Sequence, residues 1–285
     1  MVRRVLVALD PDHDTPVAIR YAADIVRPCN GVVTGLALVA KDAIDEATAG
    51  SGIGAMYYAQ KRRDELSVQI LERAEELLDE FAAACEGNGV RFKRAHVAMG
   101  VPHKQITEHL KYHDLLVAGD ESHFYYADPE KRTHALARIA EEGAGAVLIV
   151  EKDHRPTERV LVAFDGGKTA ARALQKFAQL APFGTEVTVE LVHILGDGGE
   201  DARLAARYDL ERAAAYLDTY GFGDVEVTML LGGNVQQTLL DHATQVNADL
   251  IVAGAYSRSG IRRLFFGSTA KGLIEHSEVP LFMYH

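Results

Sequence analysis

Between residues 254 and 269 the chain reads GAYSRSGIRRLFFGST, with three glycines, three arginines and no carboxylate. The surrounding chain is acidic, with a formal net charge of -11 over 285 residues. Glycine lets backbone approach a ligand with no Cβ in the way. Gly267 stands directly before Ser268 and Thr269, which open the helical stretch TAKGLIEHS. A helix start presents unpaired N–H donors and the positive end of the macrodipole, so this loop has the means to seat a phosphate. The same residues also suit an ordinary turn. Ser268 can simply cap the helix, and Arg258, Arg262 and Arg263 can be solvated surface charges.

Other chemistries find less support. DGGKT (165–169) lies between a strand and a helix, but a phosphate-binding P-loop needs a glycine where Val162 stands. Gly166 and Gly167 are therefore read as turn residues and Lys168 as a solvated lysine at the helix start. No GxGxxG follows the first strand of either repeat described below, which weighs against a dinucleotide site. Asp10, Asp12, His13 and Asp14 are metal-type donors, yet their spacing matches no defined calcium loop. Thr15 or Asp14 is expected to cap a helix beginning at Pro16. His103, His109 and His113 lack an HExxH glutamate and are read as surface histidines. Cys29 and Cys85 form no CxxC pair and are expected to be reduced thiols. No Ser/His/Asp or Cys/His constellation is supported, so no catalytic residue is assigned.

Composition narrows the class further. Hydrophobic residues at 48% and charged residues at 25% are the proportions of a globular protein. A pI near 5.5 argues against general nucleic-acid binding. No apolar run reaches the roughly 18 residues of a membrane-spanning helix. The start of the chain reads as a first strand rather than a secretory signal, and a cytoplasmic location is expected.

The elements that would position the loop come from a duplication. RRVLVALDPDHDTPVAIRYAADIV (3–26) matches ERVLVAFDGGKTAARALQKFAQLA (158–181), and YHDLLVAGDES (112–122) matches NADLIVAGAYS (247–257). GAVLIVEK and VPLFMYH form a third pair. Asp10 and Asp165 are 155 residues apart but Gly119 and Gly254 only 135, so the first copy carries about twenty extra residues. These lie largely in the Gly/Ala-rich segment 41–60, a lid or a loose loop, and in a longer helix over 59–86. That helix presents Leu66, Ile70, Leu77, Leu78 and Phe81 to a sheet. Two domains are expected, 1–151 and 158–285, joined by the polar linker EKDHRPT.

Each copy reads strand–helix four times and then a final strand. The strands are continuous apolar runs, as when helices cover both faces of a parallel sheet. In the second copy strands are expected near 159–164, 186–194, 225–231, 249–254 and 280–284. Helices are expected near 168–180, 200–220, 234–245 and 269–277. The fold class is α/β: two tandem Rossmann-like domains, each a five-stranded parallel sheet in the order 3-2-1-4-5. Ligands of such sheets sit beyond the carboxyl ends of the strands where the order reverses. That rule makes Asp165 and Gly254 neighbours.

VLVAFDGG, the strand end LVHI and the pattern Gly254-x2-Ser257-x9-Gly267-Ser268 resemble the universal stress protein family. Its nucleotide-binding members carry G-x2-G-x9-G-[ST]. The resemblance covers both halves and implies a tandem member binding ATP or a related adenine nucleotide, with or without Mg2+, in the second half. It implies Asp165 at the adenine, Ala163 and Ile194 in the pocket wall, and Ala253 and Gly254 beside the ribose. Ser257 stands at the position of the second loop glycine, and the resemblance implies that Gly267, Ser268 and Thr269 hold phosphates. It also implies that the fifth strands pair, so that the two domains form an internal pseudo-dimer. A homodimer and protein partners of unspecified identity are further expectations.

Two departures limit the resemblance. At Ser257, if φ must be positive, a non-glycine residue costs on the order of 1–2 kcal/mol, roughly tenfold in affinity. In the first copy Gly119 is followed by Asp120 and Glu121, and no Gly-Ser precedes the next helix. Carboxylates at that entrance repel a polyphosphate, so this half is expected not to bind ATP in the same way. The expected function is regulatory nucleotide binding in stress response, with at most slow ATP hydrolysis or autophosphorylation. A nucleotide-free interaction or scaffold module is the alternative.

Overall fold

The computed structural model describes residues 1–10, 14–40, 55–94, 97–120, 136, 138–140, 144–196, 199–255 and 268–285. In the first half the strands are β1 (Arg4–Leu9), β2 (Val32–Ala40), β3 (Arg91–Arg94), β4 (Ala98–Gly100), β5 (Leu115–Gly119) and β6 (Ala146–Val150). Between them run helices α1 (Asp14–Val26), α2 (Ala55–Gly87) and α3 (Pro102–Leu110). The second half follows as β7 (Arg159–Ala163), α4 (Lys168–Leu180), β8 (Thr188–Leu195), α5 (Glu200–Thr219) and β9 (Val225–Leu231). It ends with α6 (Val235–Gln245), β10 (Leu250–Gly254), α7 (Ser268–His276) and β11 (Leu281–Tyr284). The α/β class is as read from the apolar runs.

The strands make one eleven-stranded sheet in the order β3-β2-β1-β5-β6-β11-β10-β7-β8-β9, with β4 also on β2. The second half alone runs 3-2-1-4-5. In the first half the third strand is split. β3 pairs with Val32–Gly35 and β4 with Leu38–Ala40, whereas β9 pairs without a break along Val189–Leu195. The two five-stranded sheets read from the sequence meet through their fifth strands, β6 and β11, and form one. Their pairing is antiparallel, with Leu281 opposite Ile149, Phe282 opposite Leu148 and Met283 opposite Val147.

Helices cover both faces, which is why strands such as β5 and β6 are buried along their whole length. On one face α1, α2, α4 and α5 pack on side chains including Val7, Leu148, Val162 and Phe282. On the other, α3, α6 and α7 pack on Leu6, Val147, Leu161 and Leu281. Each core is continuous across the β6–β11 seam. The duplication extends to polar detail. Asp114 accepts hydrogen bonds from the backbone N–H groups of Arg3 and Arg4 at 2.8 and 2.9 Å. Asp249 does the same for Glu158 and Arg159 at 3.0 and 2.9 Å.

Three sequence expectations change. Helix α1 begins at Asp14 instead of Pro16. The Thr15 hydroxyl closes the strand-to-helix turn, donating to the carbonyl of Asp10 at 2.6 Å and accepting from its N–H at 3.0 Å. His103 is buried and His113 half-buried rather than at the surface. The ring of His113 bridges the His109 carbonyl and the Thr34 hydroxyl at 2.7 and 2.9 Å. Burial lowers its pKa from the usual histidine value. Both cysteines are free thiols, and burial pushes Cys85 up to about 12. No helix among the described residues is long and apolar enough to cross a membrane.

Candidate functional site

Beyond the carboxyl ends of β7, β8 and β10 lies a cavity of about 160 Å³. It is lined by six of the residues singled out from sequence: Ala163, Asp165, Ile194, Ala253, Gly254 and Thr269. Parallel pairing of β7 with β10 brings Asp165 and Gly254 together across nearly ninety residues of chain. Ser257 and Gly267 lie outside the described residues, as do 41–54 and the first-half loop 121–135. Ser268 is the first residue of α7.

The walls contain residues that motif reading missed. Val192 precedes Ile194 by two residues and so shares its sheet face. Val235 and Leu239 lie one turn apart on α6, and Ala270 and Leu273 share a face of α7. Phe164 and Ala170 close the cavity from the opposite side of the strand ends. The periodicity of these elements was the available signal, since each residue repeats at its element's own spacing. The result is an apolar slot with a carboxylate and a hydroxyl at its rim.

Asp165 is exposed, and its Oδ1 accepts the Gly167 N–H at 2.7 Å. That bond fixes the turn into α4, where Gly166 adopts φ +71°. Oδ2 has no part in that bond. Gly254 has a structural role besides its place in the cavity. A Cβ there would lie 2.9 and 3.0 Å from backbone atoms of Thr169 and Ala170, so the missing side chain lets α4 rest on the end of β10. Thr269 is half-buried in the first turn of α7, the part of a helix whose N–H groups have no partner within the helix.

Beneath the slot, Glu190 is the one carboxylate of β8 and is buried. Its Oε1 accepts from the Thr228 hydroxyl at 2.7 Å and meets Nε2 of His242 at 2.8 Å. Arg159 stands 3.6 Å from Oε2. These contacts hold α6 and β9 to β8, and a charge so buried requires such partners.

The equivalent place in the first half has different chemistry. Asp10 and Asp14 are buried beyond β1, while Asp120 and Glu151 follow β5 and β6. Burial, the charges of Asp120 and Asp14 and a hydrogen bond with Asp120 together push Glu151 up to about 8, against the pull of Lys152. A Cβ on Gly119 would fall 2.2 Å from Cβ of Asp14, so this strand end packs on a carboxylate-bearing residue.

Residues 156–285 match the model of the universal stress protein family. The chain is 27% identical over 150 residues to the universal stress protein Slr1230 of Synechocystis, a match spanning 52% of this chain and 50% of that protein. It is 28% identical over 102 residues to the stress response protein NhaX of Bacillus subtilis, spanning 36% of this chain and 56% of that one. The chain thus spans about half the length of the curated relatives it matches. Over its whole length it superimposes on a universal stress protein from Archaeoglobus fulgidus with a TM-score of 0.70 and 22% identity. That likeness covers 99% of this chain and 95% of that one.

Proposed function

We infer that this chain, whose residues 156–285 belong to the universal stress protein family, binds ATP or a related adenine nucleotide in the slot beyond β7, β8 and β10. On this reading it acts in stress response as a cytoplasmic regulatory nucleotide-binding protein. Residues 1–151 and 158–285 are its two domains, and the first is the structural partner of the second.

The supporting observation is the convergence of Ala163, Asp165, Ile194, Ala253, Gly254 and Thr269 on one largely apolar cavity. A purine is flat and mostly apolar on its faces, and Val192, Ile194 and Leu239 offer walls of that character. Asp165 can accept a hydrogen bond from an exocyclic amine. The α7 N-terminus, with Ser268 and Thr269, suits the phosphates. Among the described residues no cluster of His, Cys, Asp or Glu could hold a metal.

Titration calorimetry with ATP tests the reading. The wild type gives saturable heat, and Asp165→Ala weakens binding by roughly tenfold to a hundredfold, the loss of one hydrogen bond to a charged acceptor. Asp165 is exposed, so this substitution leaves the core intact. Absence of heat at high ATP would refute the reading and favour a nucleotide-free interaction module. Unchanged affinity in Asp165→Ala would remove that residue from the site.

A further inference from the structure

The sheet ends in two outer strands of opposite character. At one end β3 is four residues long and reads RFKR, a short basic edge of the kind that discourages strand addition. At the other, β9 is seven residues long and reads VEVTMLL, with no strand beyond it among the described residues. Its side chains Val227, Met229 and Leu231 are 44%, 36% and 76% exposed. They alternate along one sheet face with Val225, and that face continues onto α5. There Leu204, 60% exposed, lines one groove with Met229, Arg203 and Arg207. A long apolar edge with unpaired backbone groups is a template for another strand.

We propose that β9 pairs antiparallel with β9 of a second copy of this chain, about a two-fold axis at Thr228. Thr228 is the middle residue of β9, so this register alone pairs all seven residues of the strand. Centred on Thr228, Val225 faces Leu231 and Val227 faces Met229 of the second copy, so all four contacts on that face are apolar. On the other face Glu226 falls opposite Leu230, and the two Glu226 carboxylates stay apart. Centring on Glu226 would place like charges directly opposite, which destabilises a pair. Odd shifts would set Val227 against Thr228, on the wrong face. Glu226 is also held by Arg159 at 2.8 Å, which leaves its charge compensated within its own copy. The molecule already uses this mode of contact once, at the antiparallel β6–β11 seam with its Val, Leu and Met side chains. The second copy is thus joined by an isologous interface that closes at two.

Sedimentation velocity across a dilution series of the full chain tests the proposal. The wild type reversibly forms a dimer, and the double variant Val227→Lys, Met229→Lys sediments as a monomer. Both positions are partly exposed, so the far-UV circular dichroism and thermal midpoint of the variant stay those of the wild type. Mild oxidation of Thr228→Cys yields a covalent dimer, because only a residue on the axis meets its own copy at disulfide distance. Wild type protein, carrying Cys29 and Cys85, does not cross-link this way. A wild type that remains monomeric at every concentration overturns the proposal, including the case in which β9 instead takes a strand from a different protein. A dimer that persists in the folded lysine variant also overturns it. Failure of Thr228→Cys to cross-link within a dimer overturns the register.

Discussion

At the end of β10, Gly254 packs on Thr169 and Ala170 of the first turn of α4, and an apolar slot remains beside it. At the end of β5, Gly119 packs on Asp14 of α1, and carboxylates from Asp10, Asp14, Asp120 and Glu151 gather there. The backbone plan is shared to the residue: Gly119 matches Gly254 and Asp14 matches Thr169. What separates the two places is the side chain against which the glycine rests and the residue after it, Asp120 in one half and Ala255 in the other. A duplicated scaffold has kept its helix–strand contact in both halves while the charge around that contact diverged.

The sharpest way to break this comparison is to add a methyl group at each glycine. Gly254→Ala and Gly119→Ala should each cost about 2–3 kcal/mol in urea denaturation, since both force a helix away from a strand end. Only Gly254→Ala should also weaken ATP binding in calorimetry. A matching loss of affinity in Gly119→Ala would mean that the two strand ends do not act separately.

A smaller effect concerns Glu151, whose pKa is raised to about 8 in the folded chain from an ordinary value of 4.5. The folded state then holds a proton that the unfolded state releases. Its contribution to stability is full below about 4.5 and is lost as pH rises through about 8. Glu151→Gln should flatten that decline and stabilise the protein by about 1–2 kcal/mol above pH 8, a figure reduced for partial solvent screening. Thermal midpoints measured from pH 5 to pH 9, relative to wild type, check it; parallel curves would show that the first-half carboxylates are not coupled. The smallest effect belongs to Lys168, exposed at the start of α4. Lys168→Ala should change stability by less than about 0.5 kcal/mol and leave ATP affinity within experimental error. A marked loss of affinity would place Lys168 among the phosphate contacts.

Much of the fold could be read in the chain because the strands are unbroken Val, Ile, Leu and Ala runs that recur in order. The meeting of Asp165 with Gly254 followed from strand order alone, without any ligand. Packing between elements was harder to read. Glu190 sits in TVELVHIL as if it faced water, and only the folded chain brings Thr228 and His242 to it. His113 likewise finds Thr34 from 79 residues away. Sequence reading assigned Gly254 to the ligand, but a Cβ there would fall 2.9 Å from the backbone of α4, which gives the glycine a packing reason as well. The split of the third strand into β3 and β4 was missed because three residues, AMG, carry too little pattern to mark a strand.

The antiparallel seam at β6 and β11 also determines orientation. Every strand of one half runs opposite to its counterpart in the other, so the carboxyl ends of the two half-sheets open on opposing rims. The apolar slot beside Gly254 and the carboxylate group beside Gly119 consequently face away from each other. The chain is bipolar: a largely apolar mouth with the single carboxylate of Asp165 at one rim, a group of carboxylates at the other, and between them the paired strands with the two cores that run across their seam.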